Sequence, residues 1–176
     1  MFIGTFLMNA QEGTVIYKGF YEGMSKKKTL SEYEKNFSKY TSIVFNEGPR
    51  WEVSTEGFSY NEYNLLYGID LTPMRENNDL SSYDFTRRCL VLAKEFIENE
   101  GFEVFYEPDY WNAPEEFNSF WGLIMINEKK KLAAHFFPSK SNILTKGKPI
   151  YKAHLRMISY EPFIKEFENL KLYYDY

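Results

Sequence analysis

Residues 150–158 read IYKAHLRMI, and this stretch decides the fold. Tyr151, Ala153, Leu155 and Met157 alternate with Lys152, His154 and Arg156. A period of two places the apolar side chains on one face of a strand and the polar ones on the other. A strand with one packed face and one polar face belongs in an antiparallel sheet. Outward from it, Leu132–Phe137 reads as a neighbouring strand. Trp121–Ile126 is almost continuously apolar and reads as a strand covered on both faces. Asn127–Lys130 turns one into the other.

Two helices flank this strand block. Over Ser82–Asn99, Phe85, Cys89, Leu92, Ala93 and Phe96 recur at helical spacing, with Leu90 and Ile97 widening the stripe. Ser81 with Asp84 supplies an N-terminal cap, and Gly101 stands where a helix stops. At the other end, Phe163, Ile164, Phe167 and Leu170 predict a helix over Pro162–Leu172. Pro114 with Glu115 and Glu116 predicts a short helix start. Earlier in the chain, Phe2–Met8 and Thr14–Tyr21 read as a hairpin across Ala10–Gly13. The capping-box pair Ser31 and Glu34 starts a helix that runs to Tyr40. Ser42–Phe45, Trp51–Glu56 and Tyr63–Leu71 read as strands, with loops at Gly48-Pro49 and Pro73–Asp79. The expected fold class is α+β. A largely antiparallel sheet of six to eight strands carries two or three helices packed mainly on one face. No repeat or linker divides the chain, so residues 1–176 are expected to form one domain.

Composition excludes several classes. One cysteine among 176 residues forbids an internal disulfide framework and a Cys/His zinc cage. No apolar run approaches the ~18 residues of a membrane span. A hydrophobic fraction of 44% with a net charge of −4 argues against disorder and against general nucleic-acid affinity. Residues 1–10 lack the basic start of a signal peptide, so a cytoplasmic protein is expected, with no cofactor and no metal. The phosphate-loop, dinucleotide, nucleophile-elbow, zinc-protease and calcium-loop patterns are all absent.

The residues that could carry chemistry are few. Cys89 falls on the apolar stripe of its helix and reads as core. His135, between Ala134 and Phe136, reads as a mostly buried, hydrogen-bonded histidine. Lys152, His154 and Arg156 form a cationic stripe with neighbours ~7 Å apart, able to hold a phosphate or a carboxylate. The plainer explanation of the stripe is a solvated strand face. Register cannot be read from sequence, so no catalytic pair is built from the two histidines.

The largest anomaly is charge. From Glu95 to Glu128 there are nine acids and no lysine or arginine, which leaves +5 for the remainder. The acids alternate with aromatics, most densely from Glu107 to Phe117. Rigid Tyr and Trp anchors ringed by carboxylates suit the capture of a basic protein surface. The expected function is therefore a non-enzymatic inhibitor, of the kind represented by bacterial immunity proteins that neutralise a toxin or nuclease-like effector. Asp109, Tyr110, Trp111, Glu115 and Glu116 are the expected contact residues. Size and charge alone support this comparison. A phage-encoded inhibitor of a bacterial defence system fits the same pattern. A further alternative is an enzyme acting on a phosphorylated or carboxylated substrate through Lys152, His154 and Arg156, with His135 or Glu56 as base. A sheet that stacks single-stranded bases on exposed Tyr and Phe is the remaining one.

Overall fold

The strand read from residues 150–158 extends over Lys148–Ser159 and lies at the centre of a seven-stranded sheet. The computed structural model describes residues 13–74, 83–108, 122–145 and 148–174. A hairpin of β1 (Val15–Tyr17) and β2 (Phe20–Tyr21) is followed by helices α1 (Lys26–Lys35) and α2 (Phe37–Tyr40). Strands β3 (Ile43–Val44), β4 (Arg50–Tyr60) and β5 (Leu66–Pro73) lead to α3 (Tyr83–Asn99). Strands β6 (Glu103–Tyr106), β7 (Leu123–Asn127), β8 (Leu132–Thr145) and β9 (Lys148–Ser159) lead to α4 (Tyr160–Tyr174). The large sheet has the order β3-β4-β5-β9-β8-β7-β6, and its described pairings are antiparallel. The α+β class expected from sequence is the class observed.

The two faces of the sheet follow from the alternation on β9. Ala153, Leu155 and Met157 join Ile69, Leu71, Met125, Ala134 and Phe136 in the main core. Helix α3 closes this core with Cys89, Leu90, Ala93 and Ile97, while Tyr33 and Tyr40 enter from α1 and α2. Among the described residues, the opposite face is covered at one end. There Ile158, Ala133 and Ile124 pack under Phe163, Ile164 and Phe167 of α4. Beyond α4, this second face carries the polar side chains of β5, β8 and β9.

Helix α3 ends as expected. Gly101 has φ +83, the left-handed conformation that favours glycine, and its N–H donates to the Glu98 carbonyl at 2.9 Å. Buried Asn127 donates to the carbonyls of Glu100 and Gly101 at 3.3 and 2.8 Å, tying the helix end to β7. The expected cap Ser81, the strand Phe2–Met8 and the helix start at Pro114 lie outside the described residues.

Some boundaries differ. The first helix starts at Lys26 behind Ser25, whose Oγ accepts from the Lys28 N–H at 3.4 Å, rather than at Ser31. Three lysines in the first turn oppose the helix dipole, which hides this start in the sequence. Burial of Thr29 and Tyr33 outweighs that penalty. Strand β8 runs through Pro138, where a strand was read to stop. The last β8 residue paired with β7 is Phe136, so among the described residues Pro138 has a neighbouring strand on one side, β9. A missing N–H is tolerated there. Gly122 precedes β7 because a Cβ at that position would overlap the Phe136 carbonyl oxygen.

Candidate functional site

The second face brings together side chains that are far apart in sequence. Asp70 on β5 pairs in register with Arg156 on β9, and Arg156 pairs with His135 on β8. The next positions along β8 and β9 pair Phe137 with His154, then Ser139 with Lys152. His154 therefore has Asp70 diagonally on one side and Ser139 diagonally on the other.

His154 Nδ1 lies 3.3 Å from Asp70 Oδ2, and His154 Nε2 lies 2.9 Å from Ser139 Oγ. An ionised carboxylate only accepts hydrogen bonds. The proton on a neutral His154 therefore belongs on Nδ1, which donates to Asp70. That leaves Nε2 as an acceptor for the Ser139 hydroxyl. The imidazole plane is fixed by stacking on Phe137, with centroids 4.8 Å apart and planes 4° from parallel. His154 and Asp70 are mostly buried, at 17% and 19% side-chain exposure. The result is a serine, a histidine and an aspartate linked in sequence on a partly enclosed sheet face.

Arg156 stands beside this chain. Its guanidinium lies 3.7 Å from Glu166 of α4 and 5.8 Å from the Phe137 ring. Lys152 is exposed at the other end of the stripe. The three residues read as a cationic stripe do share one face, but acids meet two of them: Asp70 at His154 and Glu166 at Arg156. Glu166 also lines an open groove of about 500 Å³, together with Asn61, Leu65, Tyr67 and Lys165.

His135 packs against Phe137 at 4.8 Å, and its Nε2 is sealed from solvent. Burial, with the neighbouring Arg156 and His154, pushes its pKa down to about 3. The unfolded chain binds this proton near pH 6.5. Stability from the neutral ring is therefore complete above pH 6.5 and is lost as pH falls toward 3. Acidification from pH 7 to 4.5 is expected to cost roughly 2–3 kcal/mol through this group. Urea titrations of the wild type and His135→Gln at both pH values measure it; an equal pH response in the two proteins would count against it.

Cys89 is fully buried, and desolvation pushes its thiol up to about 12, as a core cysteine requires. Glu56 is exposed on β4, which β5 separates from β9. Among the described residues, no three His, Cys, Asp or Glu side chains are grouped to hold a metal ion. No described helix is long and apolar enough to cross a membrane.

Asp109, Tyr110, Trp111, Glu115 and Glu116 lie outside the described residues. Two other acids of the same stretch have local cations: Glu98 meets Lys94 at 2.6 Å, and Glu100 meets Lys130 at 3.0 Å. Sequence reasoning singled out His154 and Arg156 but not Asp70 and Ser139, which the structure places beside His154. Alternation on β9 could flag the first two, whereas the others become relevant only through strand register. No protein-family model, curated protein or solved structure matches the chain.

Proposed function

We propose that this protein is an enzyme that hydrolyses a small ester carrying a carboxylate or phosphate, with Ser139 as nucleophile. The Ser139–His154–Asp70 hydrogen-bond chain carries this reading. Ser139 Oγ bonds to the acyl carbon while its proton passes to His154 Nε2. The imidazolium, held by Asp70, returns that proton to the departing alkoxide as the carbon–oxygen bond breaks. Water, deprotonated by the same Nε2, then attacks the acyl-serine; the acyl–Oγ bond breaks, Nε2 returns the proton to Ser139 Oγ and the acid leaves. Lys152, the cross-strand partner of Ser139, brings an ammonium to the face where the oxyanion develops. Arg156 offers a cation for the substrate's anionic group.

A fluorophosphonate probe tests the nucleophile. Mass spectrometry is expected to find one adduct, on Ser139, and none in folded Ser139→Ala or His154→Ala proteins. No adduct, or an adduct elsewhere that survives both substitutions, would overturn the assignment.

The charge concentration between Glu95 and Glu128 favours a second reading: occlusion of a basic effector by Asp109, Tyr110, Trp111, Glu115 and Glu116. The bacterial-immunity and phage anti-defence roles both belong to this reading. With such an effector in hand, Trp111→Ala is expected to weaken binding by ~2 kcal/mol, mostly through faster dissociation. Surface plasmon resonance reads this directly, and an unchanged off-rate in the folded variant dismisses the loop as the contact.

A further inference from the structure

Helix α4 lends Pro162, Lys165, Glu166 and Asn169 to the groove of about 500 Å³. Offsets of three, four and seven residues place these four on one helix face. The adjoining face, with Phe163, Ile164 and Phe167, is the one packed on the sheet. The other wall consists of Glu22 after β2, Asn61 and Leu65 in the β4–β5 turn, and Leu66 and Tyr67 on β5. Hydrogen bonds hold that wall in shape. Gly23 N–H donates to the Leu66 carbonyl at 2.8 Å. Asn61 Oδ1 accepts from the Tyr63 and Leu65 N–H groups, each at 3.0 Å.

Charge and hydrogen-bonding capacity along the walls define what fits between them. Glu166 lies 3.7 Å from Arg156, whose charge offsets its own. Among the described residues, Glu22 and Lys165 have no ion-pair partner, each other included. One carboxylate and one ammonium are thus available at separate points of the same groove. A bare anion or cation is attracted by one and repelled by the other, whereas a dipolar ligand satisfies both. The Asn61 oxygen is engaged in its turn, so its amide nitrogen is left to donate; Asn169 brings both a donor and an acceptor. Those groups match the C=O and N–H of a peptide bond. Leu65, Leu66, Tyr67 and Pro162 supply apolar lining. The volume lies within the ~300–1,000 Å³ of small-ligand sites. An extended dipeptide separates its end charges by roughly 7 Å.

We propose that this groove binds a short peptide with free termini and an apolar C-terminal side chain. The ammonium of the peptide meets Glu22, and its carboxylate meets Lys165. Its peptide bond lies against Asn61 and Asn169, and its side chain rests on Leu65, Leu66 and Tyr67. This site goes beyond the Ser139 reading and does not depend on it.

The dipeptide Ala-Leu is the probe; N-acetyl-Ala-Leu and Ala-Leu amide each lack one end charge. Heteronuclear NMR titration reads the side-chain amides of Asn61 and Asn169. Ala-Leu is expected to shift both saturably, with a Kd of ~1 mM or below. Each capped form is expected to bind at least ~5-fold more weakly. Glu22→Gln is expected to weaken Ala-Leu by a similar factor and to leave N-acetyl-Ala-Leu unchanged. Lys165→Gln is expected to weaken Ala-Leu and to leave Ala-Leu amide unchanged. The comparison of capped and free peptides uses the wild type and needs no variant to fold. No saturable shift at ~10 mM peptide would overturn the site. A capped form that binds as tightly as Ala-Leu, or variants that weaken free and capped peptides alike, would do the same. Fluorophosphonate labelling of the same samples is scored separately. Intact labelling without peptide binding removes only this site, and the converse removes only the nucleophile.

Discussion

Asp70→Asn is expected to slow fluorophosphonate labelling of Ser139 by ~10³–10⁴-fold while leaving the fold intact. The substitution is nearly isosteric, so packing around β5 changes little. Its effect lies in the proton inventory. The carboxylate at 3.3 Å holds the His154 proton on Nδ1 and leaves Nε2 bare toward Ser139. An amide can present its own N–H to Nδ1, which moves the ring proton to Nε2. Nε2 then donates toward Ser139 and no longer accepts its proton. The carboxylate charge that stabilises the imidazolium disappears as well. Second-order labelling rates, with circular dichroism as the folding control, measure the change. A decrease of less than about 10-fold would mean that Asp70 only packs beside His154, contrary to the proposed relay.

Trp51→Ala is expected to lower the free energy of unfolding by about 3–5 kcal/mol. Trp51 is fully buried on β4 and meets Phe45 edge-on at 5.4 Å; Phe45 in turn meets Phe96 of α3 at 5.1 Å. Phe45 thus links the indole to the main helix. Truncation of this fully buried side chain leaves a cavity in a close-packed core, so the lost transfer energy and the cavity cost add. Urea denaturation followed by circular dichroism tests this. A loss below ~1 kcal/mol would show that the site collapses and that the link between sheet and helix is dispensable.

Alternation and helical periodicity exposed much of the architecture. The period of two in residues 150–158 separated core from polar face correctly, since Leu155 and Met157 are buried and His154 and Arg156 are not fully so. The stripe of Ser82–Asn99 correctly placed Cys89 and Ala93 inside. Local signals failed at Ser25, where burial of Thr29 and Tyr33 outweighs the three following lysines, and at Pro138, which the sheet accepts beyond the end of the β7 pairing. The site was only half legible for a different reason. Asp70 lies 84 positions before His154, and Ser139 lies 15 before it. Nothing local marks either one as a partner of an imidazole. Strand order and register create the cluster, and a one-residue change in pairing would dissolve it.

That dependence on register also governs how the protein fails. His154 and Leu155 are consecutive, so a slip of β9 by one position would turn the imidazole into the hydrophobic interior and a leucine toward water. The same backbone ladder that seats the core therefore aligns Ser139, His154 and Asp70. Heating should extinguish labelling of Ser139 and strand signal together, in one transition, with no folded yet inert species between them.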